Sequence, residues 1–131
     1  MIQNMSLPFV IDDVYGGLAE ARGVLRVEQQ AIVLEFELQD AVLNVVKAEI
    51  RRVTIPFEQV EHLVFRKGWF GFRASLCLTA RSLKALEAVP GGHGAELLIS
   101  VARKDRALAH EIASQVNYAL SEFRLKQLGP S

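Results

Sequence analysis

Apolar and polar residues alternate with a period of two through the first two-thirds of the chain, the spacing of strands with one buried face. Ala19, Ala21, Gly23, Leu25 and Val27 fall on one side, and Glu20, Arg22, Arg26 and Glu28 on the other, with Val24 the one apolar intruder. After Gln29-Gln30 the pattern restarts, with Ile32, Leu34, Phe36 and Leu38 against Glu35, Glu37 and Gln39. So short a polar link predicts an antiparallel hairpin, although it lacks the favoured Asn-Gly or Gly-Gly chemistry. Asp40 to Asn44 reads as a connection. Ala48 and Ile50 then hold one phase and Val53 and Ile55 the other, which predicts a β-bulge near Arg51-Arg52. Pro56 has no amide to give a ladder and ends that strand. Val60 to Lys67 is β-branched and aromatic enough for another strand, with blurred alternation, and Gly68 to Gly71 makes a turn. In Phe72 to Ala80 the alternation is cleanest: Phe72, Ala74, Leu76 and Leu78 inward, Arg73, Ser75, Cys77 and Thr79 outward. Ser82 to Val89 allows one or two helical turns, Pro90 to Gly94 is a loop, and a last strand runs from Glu96 to Val101.

The period then changes. Leu108, Ile112, Val116, Leu120 and Phe123 recur at helical spacing, flanked by Ala109 and Ala113, which permit close approach to a sheet. Asp105 stands where an N-cap or first-turn carboxylate is favourable, and Gly129-Pro130 stops the helix. The expected fold is mainly β with one C-terminal α-helix. About seven strands form a bent antiparallel sheet or partly open barrel, capped by the helix. Residues 1–131 make a single domain with its core in about 18–128, and residues 1–17 are an N-terminal lead-in. The core should hold Leu25, Val27, Leu34, Phe36, Leu76, Leu78, Ile99, Leu108, Ile112, Val116 and Leu120. Tyr118 and Leu125 lie on a neighbouring helix face that a small barrel does not readily cover, and Leu128 extends that apolar character.

Composition narrows the class. The chain has 131 residues, half of them hydrophobic, with fifteen basic and fifteen acidic side chains. That balance argues against nucleic acid, whose phosphates are met by a basic excess. Cys77 is the single cysteine, so no intramolecular disulfide forms. The N-terminus lacks a basic region followed by an apolar core, and no apolar run reaches membrane-spanning length. A cytoplasmic location is expected.

Candidate chemistry is sparse. His62, His93 and His110 have no second ligand at metal-site spacing. Asp12 and Asp13, as strand neighbours, point to opposite faces. Gly91-Gly92-His93-Gly94 precedes a strand rather than the helix that a phosphate loop requires. Nothing in the sequence near Cys77 would lower its pKa. No catalytic residue, metal or cofactor is expected. One segment stands out: Phe65-Arg66-Lys67-Gly68-Trp69-Phe70-Gly71-Phe72-Arg73, where cations and aromatics meet at a hairpin turn. Arg66, Lys67, Trp69, Phe70 and Arg73 are its candidate binding residues, suited to an anionic membrane interface or a protein hot spot. The opposing reading has Trp69 folded back as a lid and the cations merely solvated.

The strand order, the segment Val53-Thr54-Ile55-Pro56-Phe57-Glu58-Gln59-Val60 leading to Arg66-Lys67-Gly68-Trp69-Phe70-Gly71, and the helix at the end resemble the bacterial pleckstrin-homology-like (PH-like) family. The resemblance runs from about Leu18 to Leu128. It implies a non-catalytic binding or assembly module with a protein partner or a homo-oligomer. The alternatives are a peripheral domain touching anionic lipid through the 66–73 hairpin and, more remotely, an enzyme with a dispersed site. Eukaryotic relatives that bind phosphoinositides carry basic residues around the first hairpin turn. Here Glu28-Gln29-Gln30-Ala31 stands in that place, with Arg22 and Arg26 set between Glu20 and Glu28, so that site is not carried over.

Overall fold

A computed structural model describes residues 5–40, 46–68 and 73–128, with only the backbone at 13, 40 and 46–49. Seven strands form one antiparallel sheet: β1 Met5–Val14, β2 Ala19–Glu28, β3 Ala31–Asp40, β4 Val46–Pro56, β5 Val60–Arg66, β6 Ala74–Ala80 and β7 Glu96–Val101. The helix α1, Arg106–Leu128, comes last. The order across the sheet is β4-β3-β2-β1-β7-β6-β5. β4 and β5 are therefore the two outer strands, yet only a single-turn 3₁₀ segment, Phe57–Gln59, joins them. Bent antiparallel sheet and capping helix together make the architecture expected from the alternation and the change of period.

The lead-in is corrected by the structure. Residues 5–14 are a central strand, paired with β2 from Met5↔Val27 to Val14↔Ala19, and they bury Leu7, Phe9, Ile11 and Val14. Pro8 and Asp12-Asp13 hide the alternation, because a proline inside a run ordinarily argues against a central strand. The first hairpin turn is accordingly Tyr15 to Leu18, which holds no cation, and Gln29-Gln30 is the second. The bulge near Arg51-Arg52 is also corrected. Pairing is continuous there, with Phe36↔Arg51 and Glu35↔Arg52, and the irregularity falls between Val46 and Ile50. Ile50 itself pairs with Glu37 and so lies on the outer face, exposed. The blurred alternation of β5 has a similar origin, a register break between Val60 and His62. Of the expected Asp40–Asn44 connection, Asp40 ends β3 and 41–44 lie outside the described residues.

The core fills the concave side. Leu25, Leu34, Phe36, Leu76, Leu78 and Ile99 meet Ile112, Val116 and Leu120 of the helix stripe there, and Leu108 packs at the margin half-buried. A 3₁₀ turn, Arg103–Asp105, leads into α1, so Asp105 sits where a capping carboxylate was expected. Its Oδ2 is nevertheless buried without a hydrogen-bond partner. Gly23 on β2 is required by close approach, since a Cβ there would lie 1.8 Å from the Glu35 carbonyl oxygen. Leu120→Ala should lower unfolding free energy by about 2–5 kcal/mol, measured by urea denaturation.

Candidate functional site

Opposed residues in an antiparallel ladder share a face, so the pairings draw continuous rows over the convex side of the sheet. One row runs Glu37, Arg22, Val10, Ser100, Ser75 and Arg66. Arg66 ends β5 and Lys67 follows it, both exposed. Arg73 is exposed immediately before β6. Trp69 and Phe70 lie outside the described residues, and with them the question of the lid. A second row sets Cys77 between Val64 and Leu98. Cys77 keeps the outward direction that the alternation gives it but is 8% exposed, because both neighbours are bulky.

The remaining sequence candidates stay apart. His62 is exposed on β5. His93 is exposed in the loop before β7, where its backbone exchanges hydrogen bonds with Glu96. Gly91 and Gly94 have positive φ there, as a turn requires. Among the described residues no three of His, Cys, Asp and Glu come together. No described helix is long and apolar enough to cross a membrane.

The helix does more than cover the core. Edge strands expose unpaired backbone groups, and α1 meets those of β5 with side chains. The Leu63 amide donates to Asn117 Oδ1 at 3.1 Å, and Asn117 Nδ2 donates to the Leu63 carbonyl at 2.7 Å. One turn pair further on, Arg124 Nη2 donates to the Val60 carbonyl at 3.1 Å and also to that of Glu61. One turn pair back, the His110 ring stands edge-on to Phe65, 5.2 Å between centroids. His110, Asn117 and Arg124 are spaced by seven, which keeps them on one helix face. Asn117 in effect does what a neighbouring strand would do.

Several surface depressions involve charged residues, one of them on the convex face among Arg22, Arg26, Glu35 and Glu37, and two others bear on the candidates. The first, about 410 Å³, lies where the end of α1 passes the β4–β5 turn, and Phe57, Glu58, Arg81, Phe123, Arg124 and Leu128 line it. The second, about 470 Å³, opens on the convex face where β1 meets β7 and includes Arg22, Arg73 and Arg103. Arg66 and Lys67 do not line it. Sequence reading missed Arg22 and Arg103 as companions of Arg73, because only the strand order brings them together.

No family model, curated protein or solved structure matches the chain. The fold therefore defines a class, a bent seven-stranded antiparallel sheet capped by a C-terminal helix. Asn117→Leu removes both partners of Leu63 and should cost about 1–3 kcal/mol. Hydrogen exchange should show the Leu63 amide losing protection more than those of β2.

Proposed function

We propose that the chain is a non-catalytic binding or assembly module, a bacterial PH-like domain that pairs with a second copy through the end of α1. One observation carries this reading. Tyr118, Leu125 and Leu128 are 66%, 68% and 80% exposed, and the last of them borders the 410 Å³ depression beside Phe57 and Phe123. Apolar knobs and an apolar hollow thus lie on the same end of the molecule. A patch holding both is self-complementary, which is what a two-fold interface demands. Glu58, Arg81 and Arg124 border the same hollow, so it offers charges of both signs to an identical partner. An overhanging helix end with exposed large apolar side chains also fits an interaction surface better than a solvated one. The full chain should run as a dimer by light scattering, and the Leu125→Glu, Leu128→Glu double variant as a monomer with unchanged thermal stability. A wild-type chain that stays monomeric at high micromolar concentration would refute the pairing.

A second reading, contact with an anionic lipid surface through the 66–73 turn, draws on the exposure of Arg66, Lys67 and Arg73. Vesicles containing phosphatidylserine should then co-sediment the protein at low salt and release it at high salt. Arg66→Glu with Lys67→Glu should abolish that binding.

A further inference from the structure

We propose that the convex split between β1 and β7 is a binding site for a phosphomonoester, held by Arg22, Arg73 and Arg103. The split has a cause in the sequence. β1 and β7 are joined at one registered pair, Val10↔Ser100, whereas β1 pairs with β2 along most of its length. Pro8, two residues before Val10 on the same face, has no amide to extend the ladder. Continuing that register places Pro8 opposite Ala102, just past the end of β7 at Val101, and the 470 Å³ depression lies there, with Pro8, Val10 and Ala102 as apolar flanks and Ser100 among its lining residues.

Its electrostatics are one-sided. Three arginines line the depression and no acidic residue does. Arg22 donates from Nε to Glu20 Oε1 at 2.8 Å, which orients its plane, and its terminal nitrogens make no other ion pair or hydrogen bond among the described residues. Arg73 and Arg103 have neither an ion pair nor a side-chain hydrogen bond to any described residue, unlike Arg26, Arg52 and Arg81, which pair with Glu35, Glu28 and Glu61. The chain as a whole is neutral, so two arginines without a described ion pair, set beside a third that is paired with Glu20, are a local segregation and not general basicity. Like charges brought together repel, and an anion between them reverses the sign of that interaction. Guanidinium groups present planar donor forks that match phosphate oxygens, and Ser100 adds a hydroxyl donor. A phosphomonoester, with close to two negative charges, answers the two arginines left without a described carboxylate better than a carboxylate does, and Arg22 adds donors beside them. The depression, at about 470 Å³, is larger than one phosphate group, and its apolar flanks suit the carbon skeleton attached to it.

The phosphate has two sources, a soluble phosphoester or a lipid headgroup, and two probes separate them. Full-length protein is titrated calorimetrically with glycerol 3-phosphate at constant ionic strength, and is sedimented with phosphatidylcholine vesicles with and without phosphatidic acid. Saturable binding of glycerol 3-phosphate, weakened about tenfold or more in Arg73→Gln, Arg103→Gln and unchanged in Lys84→Gln, supports the site with a soluble ligand. Sedimentation that requires phosphatidic acid and is lost in the same double variant supports it with a lipid headgroup. Thermal unfolding of the double variant at the wild-type temperature establishes that the fold is intact, and an Arg22→Gln variant provides a second test should it fall. Absence of saturable binding to either probe, or binding that the arginine variants leave unchanged, overturns the proposal.

Discussion

The shape of this domain follows from how short the link between its two outermost strands is. Laid flat, seven strands put six gaps of about 4.8 Å between β4 and β5, roughly 29 Å in all. The chain from Pro56 to Val60 has four Cα steps of about 3.8 Å, so it spans at most about 15 Å even when extended. The Phe57–Gln59 turn is coiled and spans less. The sheet must therefore curl until its edges approach. The turn that imposes this is fastened on both sides: the Phe57 amide donates to the Gln30 carbonyl at 2.9 Å, and the Arg81 amide to that of Gln59 at 2.9 Å. The Ser82 hydroxyl adds a bond to the Gln59 side chain. Gly23 belongs to the same requirement, since β2 and β3 approach too closely at that point for any side chain.

Curling creates a concave face to fill and leaves two edges to manage, and the two edges are managed differently. β5 is sealed by the helix through Asn117 and Arg124, whose side chains occupy backbone groups that would otherwise be free to recruit another strand. β4 has no such cover from α1, but it carries Arg51 on the concave side, Arg52 on the convex side and Pro56 at its end. Charged residues, an inward-pointing cation above all, and proline are the usual means of blunting an edge. Two copies meeting antiparallel along β4 would also bring their arginines together. The exposed edge is thus a poor route to assembly, which is one reason for looking to the end of the helix instead.

What could be read from the residues alone was the local pattern. β2, β3, β6 and the helix stripe announce themselves because their neighbours in sequence are also their neighbours on one face. β1 was missed although Leu7, Phe9 and Ile11 alternate correctly, because Pro8 carries the opposite message. In the structure Pro8 lies opposite Ala102, past the end of β7, so no β7 residue is left there to need its amide. The bulge was misplaced because a change of phase between Ile50 and Val53 does not say on which side of Arg51 the extra residues lie. The pairing of Asn117 with Leu63 was beyond reach for a different reason. A seven-residue polar spacing marks a helix face, but the strand opposite it is a matter of topology. Arg22, Arg73 and Arg103 are likewise on separate elements, and no local rule connects them. The one local concentration of cations and aromatics, residues 65–73, drew attention to Arg73 without its partners.

The two surfaces proposed to bind something are placed by the same helix. Arg103 stands in the turn that starts α1, while Leu125 and Leu128 close it. A helix of 23 residues at 1.5 Å per residue separates them by about 35 Å. Substitutions that far apart with no shared contacts act additively, so loss of pairing and loss of anion binding are separable properties of one chain. The geometry also sets how a pair of chains would present itself. If two copies meet through the helix ends, their arginine-lined depressions lie at the far ends of both helices, away from the shared axis. Each remains open to its own ligand, and a pair of chains engages a surface bearing many phosphates at two points. Two linked contacts of modest strength hold far better than one, provided both reach the surface together. A purely soluble ligand gains nothing from such pairing, because each depression fills independently. Dependence of binding strength on the state of the helix end is therefore the physical difference between the two phosphate sources, and it follows from where the fold puts Arg103 and Leu128.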